Sequence, residues 1–310
     1  MDIALVVNPT SGKGRGAALR ATVEERLRQG RAHVRTVVGV DADHARDLTH
    51  AAVTDGVDAV VALGGDGMVH LALQATAGTN TPLGIVPAGT GNDLATCLGI
   101  PADPVAAVEL VLAGSRRRID AVRASDAGGE RWFGCVLGAG FDSAVNERAN
   151  RLRWPKGGAR YDVAIALELP RFKALPFTLT LDGERWETDA MLVAVGNAQS
   201  YGAGIRVTPD AIVDDGLLDV CVLGPVSKVE FVKTLPKART GEHVHHPAVT
   251  VRRARTVTVE SEGVVAYADG ERIGPLPVTC ACVPGAVEVF APPAPLAPLA
   301  PDPGAGAPVP

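Results

Sequence analysis

The chain has 310 residues, of which 46% are hydrophobic and 21% charged, the balance of a globular protein with room for two domains. Its formal net charge of −5 excludes a generally basic nucleic-acid binder, so no nucleic-acid partner is expected. The five cysteines are odd in number and form no C-x-x-C pair, which argues against a disulfide framework or a structural zinc site. No signal peptide is evident, and the apolar runs are far shorter than the roughly 20 residues of a membrane span.

The first third of the chain alternates short apolar runs with helical stretches. Strands are predicted at 3–8, 33–38, 59–63 and 83–86, and helices at 17–29, 44–54, 69–77 and 104–113. Arg116, Arg117 and Arg118 are predicted to lie at a helix end, where positive charge is favoured. This alternation predicts an α/β domain with a mainly parallel sheet at residues 1–121.

The pattern changes near Asp120. Short strand-like runs then dominate, several of them separated by Asp-Gly turn signals, with helices predicted only at 143–151, 161–172 and 227–235. These features predict a β-rich second domain at residues 122–291, built as a sandwich of antiparallel sheets. Residues 292–310 are rich in Pro and Ala and are expected to form a disordered tail.

Three glycine-rich turns in the first domain each follow a predicted strand and precede a helix. They comprise Asn8, Pro9, Thr10, Ser11, Gly12, Lys13 and Gly14, then Gly64, Gly65, Asp66, Gly67 and Met68, and finally residues 87–93. Glycine lets backbone N–H groups approach an anion, and ligands of open α/β folds bind at the carboxyl ends of the strands. The first turn has neither the spacing of a Walker A loop nor that of a dinucleotide motif. One such turn alone is compatible with a simple connecting loop, but three together predict a nucleotide site.

Asp66 is a carboxylate surrounded by glycines at a strand end. This setting suits Mg²⁺–phosphate coordination. The alternative is that Asp66 is the N-cap of the following helix.

The ordered motifs resemble a known family. N-P-x-S-G-K-G from Asn8, G-G-D-G from Gly64 and P-x-G-T-x-N-D-x-A from Pro87 resemble the diacylglycerol kinase catalytic family, which includes the sphingosine and ceramide kinases. The match continues at Gly196-Asn197, at residues 201–204 and 214–219, and at residues 269–271. G-G-D-G alone also occurs in NAD kinases and phosphofructokinases, so the specificity lies in the ordered set.

The resemblance implies an ATP- and Mg²⁺-dependent lipid kinase, with diacylglycerol as the favoured acceptor and phosphatidic acid as the product. ATP would lie between the domains against the first two turns, Gly89 and Thr90. Asp66 would bind the catalytic Mg²⁺, and Asp215 a second, structural Mg²⁺ together with the carbonyl oxygen of Leu217.

The resemblance also implies that Glu271 is the general base for the lipid hydroxyl, with Asp269 beside it. A hydroxyl whose pKa is far above neutrality benefits from a carboxylate that accepts its proton as the new bond forms. The alternative for Asp269-Gly270-Glu271 is a plain hairpin turn.

Two positions depart from the family pattern. Met68 stands where the family has Thr, and His70-Leu71 stand where it has Asn-Glu. His70 is predicted either to reach phosphate from the first helical turn or to lie on a solvated face. Three alternatives to a diacylglycerol kinase therefore remain. The first is a kinase for ceramide, a sphingoid base or another glycerolipid, and the second is an NAD kinase-like enzyme. The third is a catalytically weak protein that binds a nucleotide or lipid and acts as a regulator.

A cluster of basic residues surrounds Trp154. It consists of Arg148, Arg151, Arg153, Lys156 and Arg160. Such a cluster suits contact with an anionic bilayer, although it is equally compatible with a solvated loop whose charges pair locally. We expect a cytoplasmic protein that visits the inner face of the membrane, and the resemblance allows a homodimer.

Overall fold

The computed structural model describes residues 1–7, 15–152, 154, 159–202 and 204–293. The first predicted turn at residues 8–14, and the tail from residue 294, lie outside the described residues. In chain order the first elements are β1 (Asp2–Val7), α1 (Arg15–Gln29), β2 (His33–Val38), α2 (Ala42–Thr54), β3 (Ala59–Gly64), α3 (Asp66–Thr76), β4 (Leu83–Pro87), α4 (Asp93–Cys97) and α5 (Pro104–Ala113).

The remaining elements are mostly strands. They begin with β5 (Arg116–Asp126), β6 (Gly129–Phe133), β7 (Val136–Gly140), α6 (Phe141–Arg151), α7 (Ala159–Glu168), β8 (Leu175–Leu181), β9 (Glu184–Ala190), β10 (Leu192–Gly196) and β11 (Leu218–Leu223). They end with α8 (Lys228–Thr234), α9 (Lys237–Thr240), a short 3-10 helix (Glu242–His245), β12 (Val249–Ala254), β13 (Thr256–Glu260), β14 (Val265–Ala268), β15 (Glu271–Pro275) and β16 (Val278–Phe290).

The N-terminal sheet is parallel, as its sequence predicts. Strands β1, β3 and β4 are adjacent and almost wholly buried, which is why they read as continuous apolar runs rather than as alternating patterns. Helix α1 packs against α5, and α2 packs against α3. Because β1, β3 and β4 are parallel neighbours, their carboxyl ends meet at one edge of the sheet.

The three arginines after α5 are not at a helix end. The helix stops at Ala113, because Gly114 adopts a left-handed conformation with φ 73°. Arg116, Arg117 and Arg118 instead begin β5 and pair with β16, and the Arg116 guanidinium lies over the Phe290 ring. The prediction was wrong because it assigned the charges to the preceding helix without considering that glycine.

The second half forms the predicted sandwich. A sheet in the order β12-β11-β10-β7-β14-β15 packs against the antiparallel strands β5, β8, β13 and β16 of the larger sheet. Its core contains Val193 and Val195 from one sheet and Leu179, Val257 and Val259 from the other. The side chains alternate along each strand, so one face of each strand supplies this core.

Strand β16 joins the two halves of the molecule. Its first residues, including Val278 and Cys280, belong to the sandwich core, and Val289 and Phe290 belong to the core of the parallel sheet. Val289 pairs with Leu83 of β4 in parallel orientation, so one sheet runs through both halves. The domain boundary at residue 121 is our division of the chain, and it falls within β5.

Helices α6, α7 and α8 share a small core of their own. Phe141 at the start of α6 contacts the rings of Phe172 and Phe231 edge to face, at centroid distances of 5.2 and 4.7 Å. Helix α7 ends at Glu168, earlier than predicted, since Pro170 disfavours helical geometry in the residue before it. This cluster forms the outer side of the cavity described below.

Candidate active site

The three predicted glycine-rich turns follow neighbouring strands. Val7, the last described residue before the first turn, lies opposite Leu63, and Gly64 lies opposite Pro87. The Ala88 N–H donates to the Gly64 carbonyl oxygen at 2.8 Å, which extends the pairing of β3 and β4 into the turns. The second and third turns are therefore side by side, at the edge where α/β folds bind ligands.

The second and third turns touch through their glycines. A Cβ atom built on Gly89 would lie 2.4 Å from the Cα of Gly65, which is too close for two carbon atoms that are not bonded to each other. The Asn92 side chain closes the third turn by accepting from the Gly89 N–H and donating to its carbonyl oxygen. Glycine is thus required here for backbone-to-backbone contact, in addition to any role at a ligand.

The Asp66 carboxylate links the same two turns. One oxygen accepts from the Asn92 N–H at 2.9 Å and the other from the Asp93 N–H at 2.7 Å. Asp66 is the first residue of α3 and Gly65 is the N-cap, so Asp66 is not the cap of its own helix. The carboxylate is half-buried and each of its oxygens keeps further acceptor capacity.

Met68 and His70 both point into the protein. The Met68 side chain is buried in the core of the first domain, and its amide donates to the Gly65 carbonyl oxygen. His70 is not on a solvated face: its Nδ1 lies 4.0 Å from an Asp269 carboxylate oxygen and has no hydrogen-bond partner among the described residues. Of the two alternatives for His70, the solvated face is wrong, because its side chain is only 11% exposed, whereas contact with phosphate stays a prediction.

Asp269 and Gly270 form a tight hairpin turn between β14 and β15. Both have positive φ, 51° and 85°, and Ala268 pairs with Glu271, which is the geometry of a two-residue type I′ turn. The plain-hairpin alternative is therefore correct for the backbone. A plain hairpin does not explain the contacts that the Asp269 and Glu271 carboxylates make.

The Asp269 carboxylate anchors the hairpin to the start of β7. It accepts from the backbone N–H groups of Gly134, Cys135 and Val136 at 2.8, 3.0 and 3.1 Å. Three donors occupy most of its acceptor capacity, so this side chain holds the turn in place rather than facing a ligand.

Glu271 reaches from the second domain to the first. Its Oε1 lies 3.3 Å from the position that a Cβ of Gly67 would occupy, in the first turn of α3. The Glu271 side chain is exposed, and none of the described residues donates a hydrogen bond to its carboxylate. A carboxylate able to accept a proton thus lies next to the turn that carries Asp66.

Besides the approach of Glu271 to Gly67, Asp93 and Asn197 make further contacts between the two halves of the protein. The buried Asp93 carboxylate accepts from the Gly204 N–H at 2.9 Å, and the buried Asn197 side chain donates to the carbonyl oxygens of Asp120 and Gly134. These motif residues therefore fix the two halves relative to each other. Their pattern was visible in the sequence, but this role was not.

Asp215 is paired with an arginine. The Arg253 guanidinium hydrogen-bonds one carboxylate oxygen, and the Leu217 N–H donates to the other at 3.0 Å. Arg253 also pairs with the buried Asp219 at 3.3 Å. Within the described residues no group of three His, Cys, Asp or Glu side chains is arranged to hold a metal ion. The sequence pattern did not reveal Arg253, which lies far along the chain.

An apolar cavity opens between α6, α8 and the face of the six-stranded sheet. It is lined by Phe141, Val145, Ile165, Leu192, Leu223, Phe231 and Leu235, among others. Its polar lining residues are Asp142, Tyr201, Thr234 and His243, and the Tyr201 hydroxyl donates to the Asp142 carboxylate. Burial raises the pKa of Asp142 to about 6, while the bond from Tyr201 acts in the opposite direction.

The sequence interpretation did not single out Asp142. A signal was present, because an aspartate directly follows the apolar strand and phenylalanine of residues 136–141. An acidic side chain next to a buried strand end is a candidate for a site with an altered pKa.

The predicted basic cluster pairs locally where it is described. Arg148 pairs with Glu168, Arg151 with Glu147, and the Arg160 guanidinium lies over the Tyr161 ring. Trp154 is 81% exposed. Arg153 and Lys156 lie outside the described residues.

None of the helices in the described part of the chain combines the length and the apolar character that crossing a bilayer requires.

The described chain joins an α/β domain, with glycine-rich turns at its strand ends, to a β-sandwich. Residues 2–124 match the model of the diacylglycerol kinase catalytic domain, and residues 135–291 match that of the YegS C-terminal NAD kinase beta sandwich-like domain. The chain belongs to the diacylglycerol kinase catalytic-domain family, whose members are phosphotransferases with an alcohol group as acceptor.

Individual relatives agree with this assignment. A diacylglycerol kinase from Mycobacterium tuberculosis is 44% identical, over 94% of this chain and 95% of its own length. A Stenotrophomonas maltophilia protein named "Probable lipid kinase YegS-like" is 31% identical, over 81% and 84%. The crystal structure of a diacylglycerol kinase from Bacillus anthracis has a TM-score of 0.70 at 20% identity, over 94% and 97%, and shows the shared fold. Lipid kinase activity is thus supported for this chain, and the family implies the use of ATP.

Proposed function

We propose that this protein transfers the γ-phosphate of ATP to the hydroxyl of a membrane lipid, with diacylglycerol as the acceptor and Mg²⁺ as the cofactor. The observation that carries the proposal is the position of Glu271 beside Gly67, next to the turn in which Asp66 lies. One relative named diacylglycerol kinase is 44% identical over almost the whole chain, which supports the choice of acceptor.

The proposed ATP site is the edge of the sheet at which β1, β3 and β4 end. Its residues are those proposed from the sequence, Asn8, Pro9, Thr10, Ser11, Gly12, Lys13, Gly14, Gly64, Gly65, Asp66, Gly67, Met68, Gly89 and Thr90. Backbone N–H groups at helix starts favour phosphate oxygens, and Lys13 would add a positive charge. Met68 would contribute only its backbone and its packing, because its side chain is buried.

Glu271 is the proposed general base. As the acceptor oxygen bonds to the γ-phosphorus, the bond from that phosphorus to the β-phosphate oxygen breaks and ADP leaves. Glu271 takes the hydroxyl proton in the same process. Asp269 is better described as a positioning residue, since its carboxylate is held by three backbone N–H groups two residues away.

The residues around Asp66 fit a magnesium ion. Its carboxylate provides hard oxygen ligands with spare acceptor capacity beside the proposed phosphates. When bound, Mg²⁺ would neutralise charge that develops on the phosphate oxygens. The Asp215 and Leu217 site fits less well in this arrangement, because Arg253 already neutralises Asp215. We base no step on a metal there, and that site stays a prediction from the sequence.

The lipid would place an apolar chain in the cavity beside Asp142. The cavity walls are mainly aliphatic and aromatic, with the hydrogen-bonded pair Asp142 and Tyr201 among the few polar groups, which suits an amphipathic acceptor. The expected location is the cytoplasm, with transient contact at the inner face of the membrane.

The decisive experiment is transfer of labelled γ-phosphate from ATP with Mg²⁺ to diacylglycerol in mixed micelles, with ceramide, sphingosine and NAD as parallel acceptors. We expect label in phosphatidic acid. Glu271→Gln keeps the side-chain shape but removes its basicity, so kcat should fall by about 100-fold or more. ATP should still raise the melting temperature of this variant, since the proposed nucleotide residues are intact.

The matched control is Glu262→Gln, an exposed glutamate in the loop before β14. It should retain wild-type kcat. Label on another lipid would keep the mechanism and change the acceptor. Failure to label any acceptor, although ATP binds, would overturn the proposed reaction in favour of a binding protein.

A further inference from the structure

Helix α8 presents an apolar stripe to solvent. Val229 is 66% exposed and Val232 is 50% exposed, and the two are three residues apart on the same face of the helix. The opposite face carries the buried Phe231 and Thr234 and packs on the protein, so Val229 and Val232 lie on the outer face of the helix. A soluble helix does not need the outer stripe for folding, and the stripe is therefore available to a partner.

Basic side chains surround this stripe. Residues 227–242 carry Lys228, Lys233, Lys237 and Arg239 against Glu230 and Glu242, although the whole chain has a net charge of −5. Glu230 is paired with His246 at 3.0 Å, and Lys228 donates to the Pro170 carbonyl oxygen. Among the described residues, Lys233, Lys237 and Arg239 form no ion pair. Their charge is available to an anionic surface, whereas the described arginines of the 148–160 cluster pair locally or stack on an aromatic ring.

The helix also borders the apolar cavity. Phe231, Thr234, Leu235 and Ala238 are cavity residues, and Leu235 is at the same time 37% exposed. Leu235 and Pro236 keep helical backbone angles, so α8 and α9 follow one another with almost no break. The rim of the cavity and the exposed stripe thus belong to the same short segment.

We propose that the α8–α9 segment, residues 227–240, docks on an anionic lipid bilayer through Val229 and Val232, with Lys233, Lys237 and Arg239 facing the headgroups. Apolar insertion together with basic residues is the combination that holds a peripheral helix at a membrane surface. In this pose Leu235 lies where an acyl chain would pass from the bilayer into the cavity. The docking itself needs only this surface, and the link to turnover rests on the proposed function.

The first test is co-sedimentation with vesicles of phosphatidylcholine and phosphatidylglycerol. Val229→Glu with Val232→Glu should weaken binding by about tenfold or more, since it replaces the inserting groups by anions. Lys233→Glu with Lys237→Glu should weaken it similarly and reduce its sensitivity to salt. The matched control is Val40→Glu with Val105→Glu, two exposed valines far from α8 in the sequence, and it should bind like the wild type.

The second test separates docking from catalysis. With a short-chain diacylglycerol dissolved as monomers, the Val229→Glu, Val232→Glu variant should keep its turnover within about twofold, while turnover of diacylglycerol in vesicles falls with binding. If the wild type phosphorylates no lipid yet the variants lose vesicle binding, the docking stands and the proposed function fails. Equal vesicle binding by all variants overturns the docking. A change from dimer to monomer with unchanged vesicle binding also overturns it and assigns the stripe to a second copy of the chain.

Discussion

At the residue scale, three aspartates of the site have different surroundings and different tasks. Asp66 accepts two backbone N–H groups and keeps capacity for a ligand, Asp269 accepts three and anchors a hairpin, and Asp215 is neutralised by Arg253. The residue type alone does not distinguish these cases. The number and charge of the hydrogen-bond donors around each carboxylate distinguish the three aspartates.

The residue-scale prediction concerns the half-buried acid Asp142. Its pKa is raised to about 6 by burial, so the folded protein holds a proton there that the unfolded chain releases near pH 4. This group therefore stabilises the fold at low pH, and its contribution is lost as the pH rises from about 4 to about 6. Asp142→Asn should remove that loss, so its unfolding free energy at pH 7 should exceed that of the wild type by about 3 kcal/mol.

Urea unfolding at a series of pH values measures this difference. Asp162→Asn, at an exposed aspartate of α7, is the control and should follow the wild-type profile. Parallel profiles for the Asp142 variant and the wild type would show that Asp142 does not titrate in this range.

At the element scale, the glycine turns after β3 and β4 form one unit. They are joined by the close approach of Gly65 and Gly89 and by the Asp66 carboxylate. Much of this unit could be predicted from the sequence, because parallel neighbouring strands bring their carboxyl ends together. The contact between Gly65 and Gly89 could not, since it depends on how the two turns pack after the strands have paired.

Gly89→Ala tests this unit. The new methyl group would collide with the Gly65 backbone rather than with a flexible side chain, so the turns must move apart. We expect a loss of about 1–3 kcal/mol in unfolding free energy and a smaller rise in melting temperature on adding ATP with Mg²⁺. Thermal scans with and without the nucleotide measure both effects.

Gly128→Ala is the corresponding control, because its new methyl group would lie 3.2 Å from a side-chain oxygen of Asp126 and would meet no backbone atom at a closer distance. It should leave both quantities close to the wild-type values. A Gly89 variant that binds ATP and unfolds like the wild type would mean that the two turns do not act as a unit.

At the scale of the whole molecule, β16 makes the two predicted domains share one sheet. The chain leaves the parallel sheet, builds the sandwich and returns, so that Phe290 fills the core formed by residues near the N-terminus. Glu271 and Asp269 reach the first domain by other long-range contacts: β14 pairs with β7, and the Asp269 carboxylate accepts from the backbone N–H groups at the start of β7. The position of the proposed base thus depends on contacts between residues 133 to 135 positions apart in the chain.

The prediction at this scale is that the two halves unfold together. Phe290→Ala removes a buried ring from the first core and should lower the unfolding free energy by about 3–5 kcal/mol. Phe177→Ala, in the sandwich core, is its matched partner. If β16 couples the two cores, the protein unfolds in one transition, and each variant lowers the midpoint of that transition. The midpoints measured by far-ultraviolet circular dichroism and by tryptophan fluorescence are then equal. Two transitions, of which each variant moves only its own, would show independent domains.

The sequence by itself determined the α/β pattern, the sandwich and the location of the glycine turns. These follow from local signals, namely apolar periodicity, glycine at strand ends and Asp-Gly at hairpins, which act over a few residues. Only the tertiary structure decided the partners of the carboxylates, the burial of Met68 and His70, the return of β16 and the position of Glu271 beside Gly67. Those contacts join residues far apart in the chain, and they exist only once strand register and packing have been fixed across the whole molecule.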